Sequence, residues 1–236
     1  MWCGGVSVPL LPPQAEGAVA IDNPEQGFRL FNQVQMGSDA ADTFELSGSG
    51  FYYSTGGGVD SATFSGTSTQ LELYVDRKAT HDLFYIDTAI FAFTDVEQVV
   101  FADRTLRLDF DGVAGSAYRV YQAGLGRTPD EAGLGFFVRG IDAGTFTLQS
   151  MAAAFIASDE FKDKYGTPET ITNATFVDLL YQNVLGREGD SGGRAFHTEF
   201  LDTGGSRADA MANFAESQEN IFNLLPLIYD GIWITG

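Results

Sequence analysis

The first half of the chain has the alternating hydrophobic and polar pattern of β-strands. Residues 70–75 (QLELYV) alternate leucine and valine with polar neighbours, which is typical of a strand with one buried face. A dense apolar and β-branched run follows at 83–93, and further strands are predicted at 98–101 and 105–110. Turns rich in glycine, serine and threonine separate these segments. The pattern predicts a small β domain over residues 30–112.

The second half has the period of amphipathic helices and contains an internal repeat. Residues 121–152 align with residues 181–212 at a constant offset of 60, and after one deletion the matches continue at an offset of 59. Each copy divides into apolar helical segments joined by tight turns. The sequence therefore predicts a helical domain over residues 113–222. Its copies, each of three helices, are expected at about 116–166 and 173–222.

The combined pattern predicts an α+β fold. The small N-terminal β domain, for which a β-roll is one candidate, is followed by the helical domain of two related three-helix repeats. An apolar C-terminal tail is expected over residues 223–236. This tail is interpreted in three ways: as a last strand or coil packed on the β half, as a segment resembling a type I secretion signal, or as a docking segment for another subunit with Trp233 as an anchor.

The segment L-G-R-x-x-D occurs once in each copy. A glycine just after an apolar helical stripe is typical of a C-cap, which predicts that role for Gly126 and Gly186. Asp130 and Asp190 then stand where an N-cap of the next helix is expected. The motif is consistent with two hypotheses: an arginine–carboxylate functional site, or a structural turn in which the arginine bridges to a nearby carboxylate.

Residues 1–29 are predicted to form an extended N-terminal arm. The run VPLLPP cannot continue as a regular helix, because proline lacks an amide donor and restricts the preceding residue. The arm is interpreted either as a frayed tail or as a docking segment with Trp2, Leu10 and Leu11 as anchors. No basic residue precedes Arg29, so an N-terminal signal peptide is not expected, and no apolar run has the length of a membrane span.

Charge and composition narrow the classes of partner. Thirteen lysine and arginine residues against 32 acidic residues give a formal net charge of −19. This balance argues against binding to nucleic acid and against docking on anionic lipid. It is compatible with calcium, with a basic protein partner or with an extracellular habitat.

Signatures of catalysis are absent from the sequence. The single cysteine lies in the N-terminal arm, and the two histidines, His81 and His197, are far apart. No H-E-x-x-H zinc motif, G-x-S-x-G elbow or phosphate-binding loop is present. The chain is therefore predicted not to be an enzyme and to carry no catalytic residues. A carboxylate pair for glycoside hydrolysis is the alternative, because acidic residues are plentiful.

Two glycine- and aspartate-containing segments bear on calcium. Residues 36–48 (MGSDAADTFELSG) and 56–64 (GGGVDSATF) resemble degraded nonapeptide calcium repeats of the form GGxGxDxUx. This resemblance makes Asp39, Asp42 and Asp60 candidate calcium ligands, since calcium prefers several oxygen ligands. Ordinary turn carboxylates are the competing interpretation. No cofactor other than calcium is expected.

The repeated segments also resemble a known family. AYRVYQAGLGRTPDEAGLGFFVRGIDAGTF…AAAFIASDEF in the first copy, and FVDLLYQNVLGREGDSGG…SRADAMANFAESQEN in the second, are similar to a bacterial domain-of-unknown-function family with the pattern YRLYQAxxxRxPDxxGL…FxxSxEF. The resemblance covers residues 117 to about 221, and 95–112 resemble the β-segment that commonly precedes it. Such modules occur in repeats-in-toxin-like secreted proteins, surface-layer proteins and tail or spike proteins of marine phages.

This resemblance implies a function at an exterior surface. We expect a non-catalytic structural or adhesion component of an extracellular or virion assembly, of the phage tail, fibre or spike type. Its partners would be other protein subunits, and a host-surface glycan is a further candidate. A type I secreted calcium-binding surface protein and a glycan-active enzyme are the alternatives.

Overall fold

A computed structural model describes residues 19–23, 27–31, 34–47, 49–53, 58–77, 82–86 and 89–236. The three proposed arm anchors, Trp2, Leu10 and Leu11, lie outside the described residues, as does His81. Within the described ranges the chain has the predicted α+β class: strands come first, helices follow, and one last strand closes the chain.

The described strands are short. β1 and β2 form an antiparallel hairpin that crosses residue 29, so the expected boundary between arm and β domain falls inside a strand. The bounds are β1 Val19–Asn23, β2 Gly27–Phe31, β3 Val34–Met36, β4 Thr43–Glu45, β5 Gly50–Tyr53, β6 Ser61–Thr63, β7 Leu71–Arg77, β8 Asp82–Ile86, β9 Ala89–Thr94, β10 Gln98–Val100, β11 Thr105–Arg107 and β12 Ile232–Ile234.

Strands β3, β4, β5 and β6, and then β9 and β10, alternate between two five-stranded sheets. One sheet has the order β3-β5-β9-β8-β7 and the other the order β12-β11-β10-β6-β4. The pairs β3·β5, β5·β9, β4·β6 and β6·β10 are parallel. The chain therefore winds as three coils, β3–β4, β5–β6 and β9–β10, which is the topology of a β-roll. The β7–β8 hairpin is inserted between the second and third coils.

One coil is 17 or 18 residues long, because Val34 pairs with Phe51 and Thr43 pairs with Ser61. At the middle of β4, β6 and β10, the equivalent residues Phe44, Ala62 and Val99 are all buried. This repetition is the reason for the parallel register, since a slip by one residue would turn each apolar side chain to the other face.

The core of the roll is aromatic. Tyr52 is fully buried and its ring centroid lies 5.7 Å from those of Phe44 and Phe93. Phe84 and Phe93 are 5.1 Å apart, so strands of the hairpin and of the coils share one core. Large rings fill the space between two closely spaced sheets with few side chains, and five phenylalanines belong to this core.

Each repeat contains four helices, where the sequence predicted three. The extra helix begins at a serine in each copy. Ser158 and Ser217 cap it, because their hydroxyl oxygens accept the N–H groups of Phe161 and Asn220. The bounds are α1 Val113–Leu125, α2 Glu131–Asp142, α3 Leu148–Ala157, α4 Asp159–Tyr165, α5 Asn173–Leu185, α6 Ser191–Asp202, α7 Arg207–Ala215 and α8 Gln218–Ile228.

The C-terminal segment packs on its own chain. Helix α8 continues to Ile228, so the expected start of the tail at residue 223 falls inside a helix. β12 pairs antiparallel with β11, and Ile232 and Ile234 join the core of the helical half. Trp233 faces the other way, with its ring 3.9 Å from the guanidinium carbon of Arg104. Of the three interpretations of the tail, a last strand on the β half describes its position.

We predict that the C-terminal strand is needed for stability of the helical half. A fragment of residues 105–236 should show one cooperative thermal transition by far-UV circular dichroism. A fragment of residues 105–222 should melt much lower, because it loses Ile228, Ile232 and Ile234, each contributing about 1.5–3 kcal/mol by burial. Equal midpoints for the two fragments would contradict this role of the C-terminal segment.

Candidate functional site

The glycines of the repeated L-G-R-x-x-D turn have left-handed backbones. Gly126 ends α1 with φ of 61° and Gly186 ends α5 with φ of 64°. Only glycine adopts this conformation without strain from a Cβ atom. Their surroundings differ, however: a Cβ at Gly126 would lie 2.8 Å from the Tyr165 hydroxyl oxygen, whereas nothing lies within 4 Å of one at Gly186.

Arginine and carboxylate groups complete the turn in the first copy. Arg127 donates to both carboxylate oxygens of Glu160, at 2.6 and 3.1 Å, and to the Tyr121 hydroxyl at 3.1 Å. That hydroxyl donates to Asp130 at 2.7 Å, and Asp130 caps α2. One cluster therefore fixes the end of α1 and the beginnings of α2 and α4.

The second copy repeats the arrangement. Arg187 donates to both oxygens of Glu219, at 2.7 and 2.8 Å, and its guanidinium carbon lies 5.5 Å from the ring centroid of Tyr181. Asp190 caps α6 by accepting the Gly193 N–H at 2.9 Å. The same three helix ends are thus joined in both copies.

The electrostatics of these clusters favour permanent charge. The Gly133 N–H and then the Tyr121 hydroxyl lower the pKa of Asp130. Hydrogen bonds from Arg127 lower the pKa of Glu160 below its ordinary value, and those from Arg187 do the same for the pKa of Glu219. Carboxylates with lowered pKa values stay ionised at neutral pH, so the clusters are suited to holding helices and not to proton transfer.

We predict unequal costs for the same substitution at the two glycines. Gly186→Ala should reduce the free energy of unfolding by about 1–2 kcal/mol, the cost of placing a Cβ in the left-handed region. Gly126→Ala should cost more, because its Cβ also meets Tyr165 and Asn183. Urea denaturation of both variants measures the difference, and equal values would show that the crowding at Gly126 relaxes freely.

Arg107 forms a buried ionic junction between the β half and the helices. Its side chain is 2% exposed, and it pairs with both oxygens of Asp109 at 2.9 Å and with Asp142, at the end of α2, at 2.5 Å. Burial alone would lower the pKa of Arg107, but the hydrogen bonds that it donates to the two carboxylates raise the pKa overall. Asp109 also accepts the Ala114 N–H at 3.0 Å, which satisfies one amide in the first turn of α1.

A second buried arginine joins the two repeats. Arg119 on α1 is 2% exposed and donates to both oxygens of Glu216, at 2.8 and 2.9 Å, and to the Phe110 carbonyl at 3.0 Å. The equivalent position in the second copy is Leu179. Sequence reasoning missed this contact because it is not repeated, although a lone arginine among apolar residues of α1 was the available signal.

Asp42 and Asp60, two of the candidate calcium ligands, belong to a ladder of acidic residues in the β-roll. Asp42, Asp60 and Glu97 stand directly before β4, β6 and β10, at equivalent positions of successive coils. Asp60 accepts the Asp42 N–H, and Glu97 accepts the Asp60 N–H, each at 2.7 Å. The sequence did not predict that Glu97 belongs to this ladder. The inserted β7–β8 hairpin lengthens the chain between Asp60 and Glu97, so the spacing of one coil is not visible there. Asp39, the third candidate, is exposed in the preceding turn.

The oxygen atoms of the ladder decide whether it could bind calcium. Asp42 Oδ2 accepts from both the N–H and the hydroxyl of Ser38, and Asp60 Oδ1 accepts a backbone N–H. Asp60 Oδ2 is buried with no hydrogen-bond partner. Across the described residues, no group of three or more histidine, cysteine or acidic side chains could hold a metal ion. Calcium takes six to eight oxygen ligands, and several oxygens of the ladder already accept N–H or hydroxyl groups. Calcium binding therefore stays a prediction here.

We predict that Glu97→Gln stabilises the protein at neutral pH. Burial raises the pKa of Glu97 above its ordinary value of 4.5, and the charge of Asp60 adds to the rise. The raised pKa means that the stability contributed by protonated Glu97 is present at low pH and is lost as the pH rises through the folded-state pKa. The variant should therefore gain about 1–4 °C in Tm at pH 7 and little at pH 4.

Asp103→Asn is the matched control, because the pKa of Asp103 is shifted in the opposite direction from that of Glu97. Hydrogen bonds from the N–H and hydroxyl of Ser68 lower the pKa of Asp103, so its contribution is present at neutral pH and lost as the pH falls. Its variant should lower Tm at pH 7. Melting curves from pH 2 to 7 measure both, and a gain from Glu97→Gln that does not change with pH would contradict the assignment.

Both repeats expose aromatic rings at equivalent positions. Phe136 on α2 is 57% exposed and Phe196 on α6 is 69% exposed. In the first copy a second ring, that of Phe146 in the loop after α2, lies beside Phe136 and covers Gly140. In the second copy the second ring is that of Phe200, which stands on α6 at the position equivalent to Gly140. Both copies therefore have a second aromatic ring near the exposed one, although this second ring comes from non-equivalent positions.

Comparison with known proteins gives one family. The family described as "Domain of unknown function (DUF4214)" matches residues 117–165 and again 152–224. No curated protein matches the chain. Among the described residues, no helix has both the length and the apolar character needed to cross a membrane. The repeated helical half, from α1 to α8, is therefore similar to a domain-of-unknown-function family.

Proposed function

We propose that the chain is a non-catalytic structural or adhesion component of an extracellular or virion surface assembly, of the phage tail, fibre or spike type. The observation that carries this proposal is the use of the repeated charged clusters. Arg127 with Glu160, and Arg187 with Glu219, join helix ends and keep their charges at neutral pH. Groups used in this way support a scaffold, since a general acid or base needs a pKa near the working pH.

The surface supports the same proposal. The exposed rings of Phe136 and Phe196 are repeated features available to a partner, on a chain whose net charge is −19. Single exposed apolar residues are common, but a pair kept at equivalent positions of two diverged copies favours contact with other subunits or with a host-surface ligand.

A type I secreted calcium-binding surface protein is the second candidate. The parallel coils of 17 or 18 residues favour it, because two stacked nonapeptides have this length. The backbone hydrogen bonds that already engage Asp42 and Asp60 oppose it.

Immunogold electron microscopy tests the assignment. Antibodies against residues 113–236 should label the exterior of intact particles or cells that carry the chain from its native locus, and washing with a calcium chelator should not remove the label. Antigen confined to the cell interior would contradict an exterior role. Release of the label by chelator would favour the second candidate.

A further inference from the structure

The helices α2 and α6 are held in the same rotation about their axes by an inward-facing ring. In the first copy the ring of Phe137 lies 5.1 Å from that of Phe155. In the second copy the equivalent ring is that of His197, which lies 4.5 Å from that of Phe214. The residue one position earlier on each helix therefore points away from the core, and this residue is the exposed phenylalanine in both copies.

The charge beside the exposed ring differs between the copies. Arg139 follows Phe136 by three positions on α2, whereas Glu199 follows Phe196 by three positions on α6. Residues three apart are neighbours on a helix surface, so each ring has a charged group beside it. Both charged residues are exposed. We call Phe136 with Arg139 the basic patch, and Phe196 with Glu199 the acidic patch.

These two charges are left available to a partner. Arg139 donates to the Thr235 carbonyl at 3.2 Å, and no ion pair of Arg139 or Glu199 is found within the described ranges. By contrast, Arg127 and Arg187 each donate to both oxygens of a carboxylate of their own chain. Arg139 is thus an exposed cation with no internal counter-charge in the part that the structure describes, on a chain whose net charge is −19.

We propose that the basic patch of one chain binds the acidic patch of a second copy of this chain. The inference rests on the proposed function, because it names the subunit that the exposed rings contact. Phe136 packs against the rings of Phe196 and Phe200, which lie one helical turn apart on α6. Arg139 pairs with Glu199 beside them. Both halves of the contact are present on every chain, so a second copy is the partner that the patches fit.

The chemistry of the two patches suits an interface. Aromatic and arginine side chains are enriched in protein interfaces, where they supply much of the binding energy. The opposite charges beside the rings favour contact of unlike patches over contact of like ones, since like charges brought together repel. The charges therefore set which patches meet, and the rings supply the apolar contact.

The proposed contact is heterologous, because two different surfaces meet. Each chain keeps one free patch after a single contact, so the association continues into a ring or a filament. The net charge of −19 opposes the approach of two copies, but salt screens this repulsion beyond about 8 Å at physiological ionic strength. Growth by addition of identical chains is what a structural component of a surface assembly requires.

Sedimentation velocity of the full chain tests self-association. The measurement is made at about 0.3 M NaCl, where the long-range repulsion between copies is screened. The chain is examined from about 5 to 500 μM, because a contact between two small patches is expected to have a Kd of about 10–100 μM. Species larger than the monomer should increase with concentration. A chain that stays monomeric over the whole range would overturn the proposal.

Variants separate the patches from general stickiness. Phe196→Ser and Glu199→Arg should each weaken association by about tenfold or more without a change in Tm, because both side chains are exposed. Phe222→Ser is the matched control, since its ring is 77% exposed on α8, outside both patches, and it should associate as the parent does. Parent-like association of the two patch variants, or equal weakening by Phe222→Ser, would contradict the assignment.

Mixtures test which patches meet. Arg139→Glu and Glu199→Arg each place like charges at the contact when alone, whereas an equimolar mixture of the two places opposite charges there. The mixture should therefore associate about tenfold more tightly than either variant alone. Because Arg139 also contacts the Thr235 carbonyl, the Tm of its variant is compared with that of the parent.

A second mixture leaves Arg139 unchanged. Phe136→Ser lacks the ring of the basic patch and Phe196→Ser lacks that of the acidic patch, so each alone should stay monomeric. Together they retain one intact patch of each kind and should form a dimer that grows no further. Mixtures that associate no more tightly than the single variants would contradict the pairing of unlike patches.

These experiments and the localisation experiment fail independently. Self-association of a chain found only inside cells would leave the contact standing and remove the surface function. A surface-located chain that stays monomeric would do the reverse.

Discussion

The arrangement of the two halves depends on the buried guanidinium of Arg107. It lies at the end of β11, beside the C-terminal strand, and pairs with one carboxylate of its own segment and one at the end of α2. Because Asp109 also accepts the Ala114 N–H, the same cluster holds the first turn of α1. Removing one partner of a buried ion pair typically costs about 3–5 kcal/mol, since the remaining charge stays uncompensated. Roll, first repeat and last strand are therefore coupled through one side chain.

The two copies share their turns and differ in their contacts. Each keeps the glycine, arginine and aspartate that join three helix ends, because that geometry is required wherever the unit occurs. Arg119, by contrast, is replaced by Leu179, since only the first copy meets Glu216 and the β half. Divergence at such positions lets a duplicated unit form an asymmetric domain.

Local features of this fold could be predicted from the sequence, and distant ones could not. The roles of Gly126 and Asp130 follow from neighbours within a few residues, and the fourth helix of each repeat had a local signal in Ser158 and Ser217 that the repeat pattern alone did not reveal. The bond from Asp60 to Glu97 spans 37 positions and that from Arg119 to Glu216 spans 97. No periodicity connects residues so far apart.

The acidic ladder of the roll restricts how this protein can change in length. Asp60 and Glu97 each accept the N–H of the equivalent residue one coil earlier, so this contact survives only if whole coils are gained or lost. A deletion of a few residues within a coil would move every later carboxylate out of line with the N–H group that it accepts. An insertion that leaves the strand register unchanged is tolerated, as the β7–β8 hairpin shows. Evolution or engineering can thus lengthen or shorten the roll only by whole coils of 17 or 18 residues.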